Sequence, residues 1–558
     1  MSSKQWTKIS ILLTIIALLL WSHSILYAKL EIGYFGLIHG LPITFFVALA
    51  LLTAASAILW TAKENHGRLL CLQLVIFVAA LWLVPVITGG SHPFTDETYT
   101  KFAQVSYIVE EGGFSSQQVW YLSWPGAQIL LATLAELGSI DYEPLTTLLV
   151  SFTGLLFLPP LYLFLRNAIG QGQNNYHWAG LWLFSAADWA GTIYVSPQGI
   201  GFFLLLMLLA LITTPAIWKT DFKSLGLLSL VIIVFAALVI THLLTSLAVL
   251  CILAALCLVK RSKRLAIVLL LCLLLLVSWD LTGGAHYIGL IAEPGAAPAE
   301  FGILILDPGV ITEREVTGHF SGSESHIAVA KTRILLSSIF VLLGLVGALL
   351  LLVKKRNFRV GVPVLAITLA PLVLLPLSGH YTEELLRRLY LFALPGMAYF
   401  GAMLLDVKSR IPAIILCLLI IIGSPLNVIS HYGNQELDYF SPGRAAGLEF
   451  FNSTTSHGYV TGGYPLGRTK GFLNYLSIDF DQLRWQENEL ITETEEEMPH
   501  YIVISRRDRA QYEWFEGNDQ FITEIEKSLD SAVNCNLIYN NPILRLYVCD
   551  DPSRLTEN

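Results

Sequence analysis

Stretches of apolar sequence, many close to the length needed to cross a bilayer, recur along this chain. No other feature constrains its fold as much. In hydrocarbon every backbone N–H and C=O must be satisfied within the protein, so spanning segments are helices or closed barrels. A helical span takes about 17–25 mostly apolar residues. Thirteen such runs are legible: 9–28, 41–60, 69–87, 144–166, 178–194, 198–213, 225–240, 243–259, 265–279, 334–353, 361–378, 388–405 and 411–427. Two divisions rest on length. The stretch 225–259 would make about 52 Å of helix, well beyond a hydrocarbon core of roughly 30 Å. The polar pair Thr241-His242 is its natural break. The stretch 178–213 is also too long, and Ser196-Pro197 divides it because proline ends or kinks a helix.

Composition agrees. Hydrophobic residues make up 54% of 558 and charged residues 14%, against about 25% charged in a typical soluble domain. This excludes a wholly soluble protein, a disordered chain and a small disulfide scaffold. From His431 onward there are 10 basic and 21 acidic residues, whereas the preceding part holds 24 basic and 21 acidic. Nothing marks a nucleic-acid partner. With the N-terminus in the cytoplasm, the inner loops hold 17 Lys and Arg and the outer loops 7, the expected positive-inside bias. Leu26-Tyr27-Ala28 is a weak signal-peptidase site, so the first run reads as a span. An odd number of spans then places the acidic C-terminal region outside. The expected localisation is multi-pass in the plasma membrane, with a cytoplasmic N-terminus and an extracytoplasmic C-terminal domain.

Three outer segments are too long or too polar to be plain connectors: 88–143, 280–332 and 379–388. The first carries Asp96-Glu97 just after the third span. It continues through an amphipathic stretch, 100–110, with Phe102, Val105 and Ile108 at helical spacing. Trp124-Pro125-Gly126 then leads into the short apolar run 127–137, which reads as the second member of an interfacial helix pair. A carboxylate placed like Asp96 can act as a general base or bind a divalent cation. On spacing alone a solvated turn capping a helix is the better reading. The second segment, with Pro294, Pro298 and Pro308, reads as a mobile loop; its Glu and His residues read as solvated. The third contains His380, Glu383, Glu384, Arg387 and Arg388. Arginines at the outer mouth of a span either pair with acids one turn away or form an anion site, since guanidinium groups grip phosphate bidentately.

The order and sidedness of these motifs, Asp96-Glu97, then Tyr121-Leu122-Ser123-Trp124-Pro125-Gly126, then Leu386-Arg387-Arg388-Leu389-Tyr390, resemble the GT-C superfamily of polyprenyl-phosphate-dependent glycosyltransferases. Protein O-mannosyltransferases, aminoarabinose transferases and oligosaccharyltransferases belong to it. The resemblance covers about residues 69–427 and makes 1–68 a two-helix membrane extension, 69–429 the catalytic core and 430–558 a soluble outer domain. It implies transfer of a sugar from a polyprenyl-phosphate donor to a protein, lipid or glycan acceptor on the outer side of the bilayer. Asp96 matches the catalytic base, with Glu97 beside it, and Arg387 or Arg388 matches the arginine that holds the donor phosphate. His242, His380 and Glu383 are candidates to line the site. A divalent cation, Mg or Mn, is the one cofactor in view. Many relatives carry a second acid in the next outer loop. Here that turn reads Tyr194-Val195-Ser196-Pro197-Gln198, which puts a two-acid metal site in doubt; Asp188 lies about two helical turns earlier. The other function class to weigh is a transporter or lipid-linked sugar flippase with an outer sensor domain. Such a protein should show broken helices or repeated halves at mid-membrane, and no clear internal repeat is present.

The tail reads as a small α/β domain, with strands at 501–504 and 544–548 and a helix at 521–529. Asn452-Ser453-Thr454 is a glycosylation acceptor pattern. Asn540-Asn541-Pro542 supplies turn residues for a hairpin. Centring the turn on Pro542 sets Cys535 opposite Cys549, and an oxidising exterior permits a disulfide there. The other cysteines lie in apolar runs and show no zinc spacing.

Overall fold

In the computed structural model the described residues are 3–549, leaving aside 89–95, 115–119, 171–174, 192–194, 219–221, 287–322, 355–357, 378–383, 408, 456, 463–474, 479, 481–482, 487–488, 492–498 and 517–518. Every one of the apolar runs contains helix. Among the described residues seven helices are long and apolar enough to cross a membrane: Ser3–Tyr27, Ile43–Trp60, Thr147–Ile169, Leu243–Lys260, Glu324–Val353, Leu385–Asp406 and Ile411–Tyr432. Shorter apolar helices, including Gly67–Trp82, Pro197–Thr213 and Ser224–Val239, fill in around them. The chain is thus a polytopic helical membrane protein followed by a small α/β region. The run expected at 178–194 forms a helix only over Tyr176–Ala187, because the chain turns at Asp188.

The breaks are capped by side chains. Ser196 accepts a hydrogen bond from the Gly199 amide at 2.9 Å, with Pro197 in the first turn of the next helix, where its missing N–H costs nothing. His242 Nδ1 accepts from the Thr245 amide at 3.3 Å and caps Leu243–Lys260. The first two helices are stitched to the third. Gln73 donates through Nε2 to Ser10 Oγ (2.9 Å) and Thr14 Oγ1 (2.8 Å), and Ser10 donates to the Ala55 carbonyl at 2.8 Å. One apolar core runs through the bundle, with Trp182 against Phe77 at a ring separation of 4.2 Å.

Beyond the last membrane helix, five strands form one sheet in the order β2-β1-β5-β7-β6: β1 Gly458–Gly462, β2 Tyr475–Ile478, β5 His500–Ser505, β6 Cys535–Asn540 and β7 Leu544–Cys549. A separate hairpin joins β3 (Arg484–Gln486) to β4 (Glu489–Ile491). β1 runs parallel to β2 and β5, while β7 is antiparallel to β5 and β6. Every residue of β5 is buried, which requires cover on both faces. On one face Ile502 and Ile504 pack with Ile522, Ile525 and Leu529 of helix Gln520–Ser531. On the other, Tyr501 and Val503 pack with Phe451 of helix Pro442–Thr454. Cys535 and Cys549 are joined by a disulfide, their Cα atoms 4.1 Å apart. The pairing centred on Pro542 runs from Cys535 to Leu537 and then shifts by one residue between Leu537 and Tyr539. The reason lies at the turn, where Asn541 Oδ1 accepts from both the Ile543 and Leu544 amides at 2.8 Å, a local side-chain turn that reserves its own residues.

Candidate functional site

Helix Asp96–Glu111 begins four residues before the amphipathic stretch read from the sequence, so Asp96 and Glu97 form its first turn. Their side chains, and all of His380 and Glu383, lie outside the described residues. Beyond that turn the helix buries a polar face. Thr98, Lys101 and Gln104 are 1%, 3% and 4% exposed, and Gln104 accepts from Gln128 Nε2 at 2.8 Å. Val105 joins Leu131, Ala132 and Ala135 of helix Gly126–Gly138 in a small core. That second helix leaves Ile129, Leu130, Leu134 and Leu137 exposed, an apolar face suited to lie in the membrane boundary.

The segment between the two helices docks on a break in the bundle. The Gly126 amide donates to the Ile240 carbonyl at 2.8 Å, and Trp279 donates through its indole N–H to the Ser123 carbonyl at 3.0 Å. A Cβ on Gly126 would stand 2.5 Å from Thr241 Oγ1 and 2.9 Å from the Ile240 oxygen. Glycine is therefore required for close approach. The Trp-Pro-Gly motif thus sits on Thr241-His242, the point where length arithmetic divides two spans.

Arg387 and Arg388 fall at the start of helix Glu384–Ala402. A helix N-terminus carries positive partial charge, so cations there are disfavoured and an anion is favoured. On a helix these adjacent side chains diverge by about 100°. The charge of Arg388 acts on His242; that of Arg387 acts on His431, as does that of Arg333. Arg333 lies over the Trp189 ring at 5.4 Å and donates through Nε to the Ser430 carbonyl at 3.0 Å.

Between these groups sits the turn that follows Ala187. Tyr390 donates to the Ala187 carbonyl at 2.9 Å, Asn427 to the Ala186 carbonyl at 3.3 Å, and His431 Nε2 meets the Gly191 carbonyl at 3.0 Å. Asp188, 2% exposed, accepts from the Gly191 amide at 3.0 Å. Sequence reasoning placed Asp188 inside the 178–194 span, about two helical turns before the 194–198 turn, and gave it no role; it gave none to Lys101, Trp189, Arg333 or His431 either. Arg333 was visible only as one more outer-loop charge, although, like Arg387 and Arg388, it runs against the positive-inside bias. Among the described residues no group of three His, Cys, Asp or Glu gathers in a metal-holding arrangement.

No family model matches the chain, and no curated protein matches it. Solved structures with a similar layout include ArnT from Cupriavidus metallidurans bound to undecaprenyl phosphate, at 12% identity and a TM-score of 0.46, over 86% of this chain and 97% of that one. The archaeal oligosaccharyltransferase AglB from Archaeoglobus fulgidus, in complex with an inhibitory peptide and a dolichol-phosphate, is similar at 12% identity and a TM-score of 0.47, over 77% of this chain and 63% of that one. An Archaeoglobus fulgidus oligosaccharyltransferase in complex with Zn and sulfate is similar at 12% identity and a TM-score of 0.48, over 86% and 70%.

Proposed function

We propose that this protein is a membrane glycosyltransferase of the GT-C type, moving a sugar from a polyprenyl-phosphate donor to an acceptor at the outer end of the helix bundle. The observation that carries this is the position of Arg387 and Arg388 at the N-terminus of their helix, with the charge of Arg388 acting on His242 at the break where the Trp124-Pro125-Gly126 segment docks. Positive charge gathered at a helix N-terminus favours an anion there. A phosphate on a lipid is an anion that arrives from the bilayer.

In this scheme Arg388 holds the donor phosphate. The acceptor hydroxyl oxygen attacks the sugar carbon, the bond from that carbon to the phosphate oxygen breaks, and the lipid phosphate leaves with the electron pair. Asp96 takes the acceptor's proton, with Glu97 beside it. Transfer needs both functions, a base for the nucleophile and stabilisation of the leaving charge. Asp96 and Glu97 are also the pair that would hold a Mg or Mn ion, which would add positive charge at the leaving phosphate; transfer measured across a chelator titration reads that requirement. The acceptor is a protein, lipid or glycan hydroxyl on the extracytoplasmic side.

The test is donor binding to the reconstituted protein. Arg388→Lys keeps the charge and loses the bidentate fork, so affinity for a polyprenyl-phosphate sugar should fall roughly tenfold or more. If Arg387→Ala and Arg388→Ala each bind the donor as the parent does, the site assignment is wrong.

A further inference from the structure

A second cleft lies at the opposite end of the bundle. Helix Ile411–Tyr432 spans about 33 Å. His431, near its C-terminal end, belongs to the cluster above, while Arg410 stands just before its N-terminal end. There a cleft of about 760 Å³ opens between this helix, Ser3–Tyr27 and the end of Ile43–Trp60. That volume falls within the roughly 300–1,000 Å³ of small-molecule sites. Small residues, Ala54, Ala57 and Ala413, line it where larger side chains would fill the space. Its wall runs along Ile414 and Leu418, 57% and 52% exposed, so the cleft opens sideways on the surface that faces hydrocarbon. Its polar end is made by Lys63, His66, Arg410 and Glu64. Glu64 lies 3.9 Å from His66, and Lys63 and Arg410 stand at the same mouth.

We propose that this cleft binds one anionic phospholipid from the cytoplasmic leaflet. The headgroup phosphate lies between Lys63 and Arg410, and one acyl chain runs along Ala57, Ala413, Ile414 and Leu418. The positive-inside bias assigns this end to the cytoplasm, where anionic lipid is concentrated. Basic pockets between membrane helices on that side suit anionic headgroups, and a long apolar wall open to the bilayer suits a lipid tail rather than a free phosphate. The site shares no residue with the transferase cluster, so its fate is independent of the proposed activity.

The experiment uses the full chain reconstituted in phosphatidylcholine vesicles containing a phosphatidylglycerol probe with a photoreactive group in the acyl chain, and cross-links mapped by peptide mass spectrometry. Labelling should concentrate on the peptides carrying residues 54–63 and 410–418. The double variant Lys63→Gln/Arg410→Gln should reduce it roughly 25-fold, from about a factor of five per basic residue. Ala57→Phe, which fills the apolar wall and keeps the charges, should reduce it too. Thermal unfolding of both variants shows whether they remain folded; if the charge variant unfolds, Ala57→Phe decides. Equal labelling by a phosphatidylcholine probe, competition by inorganic phosphate, or labelling spread evenly over lipid-facing helices would overturn the proposal.

Discussion

Arg387 and Arg388 are neighbours in sequence, yet side chains one residue apart on a helix diverge by about 100°. The proposed division of labour makes Asp96 the other half of the chemistry. Asp96→Asn should lower transfer by about 10²–10⁴-fold with donor binding unchanged, measured by product formation and by donor titration. Normal turnover would move the base to Glu97. A different residue contributes to the pH response of the C-terminal domain. His500 is buried, with Nε2 2.9 Å from Thr461 Oγ1, and burial pulls its pKa from 6.5 down to about 4. The unfolded chain therefore takes up a proton that the folded domain refuses. Stability should fall as pH drops below about 6.5 and stop falling near pH 4, a loss on the order of 3 kcal/mol. Hydrogen exchange in β1 and β5 reads this, and His500→Gln should flatten the profile. At this scale the sequence singles out residues that break a global rule, as Arg387 and Arg388 break charge sidedness. Asp188 and His431 break no rule, and only three-dimensional packing brings them together.

Elements were more legible than residues. The breaks at Ser196-Pro197 and Thr241-His242 followed from length and polarity, because a helix cannot exceed the bilayer and continue apolar on both sides. The strands at 501–504 and 544–548 followed from β-branched and aromatic runs, and both lie in the sheet. What escaped was local competition: the Asp188 turn that shortens its helix, and the Asn541 turn that shifts the β6–β7 ladder. Two tests belong here. Gly126→Val would press a branched side chain on the Ile240 carbonyl, so residues 120–126 should lift and become accessible to protease, at a cost of about 1–3 kcal/mol. Cys535→Ser with Cys549→Ser opens a loop with a sequence separation of 14 and should cost about 3 kcal/mol of domain stability, visible as a lower denaturation midpoint.

For the molecule as a whole, the charge asymmetry that orders the spans makes a definite topological prediction. Protease added to sealed right-side-out vesicles should remove the acidic C-terminal region, and the same protease should spare it in inverted ones. The reverse pattern would turn the proposed site to the cytoplasm. The C-terminal region is also seated on the membrane part. Phe102, from the helix that opens with Asp96, shares one apolar cluster with Phe440, Ala445 and Leu448, and Phe102 is only 4% exposed. Lifting that helix away from the bundle would first require drawing a phenyl ring out of the domain above it, a penalty of roughly 1.5–3 kcal/mol. That helix and the C-terminal region are therefore mechanically geared through Phe102: a load placed on the one is felt by the other, so under the proposed scheme the grip of a bulky acceptor and the posture of the base are not independent variables.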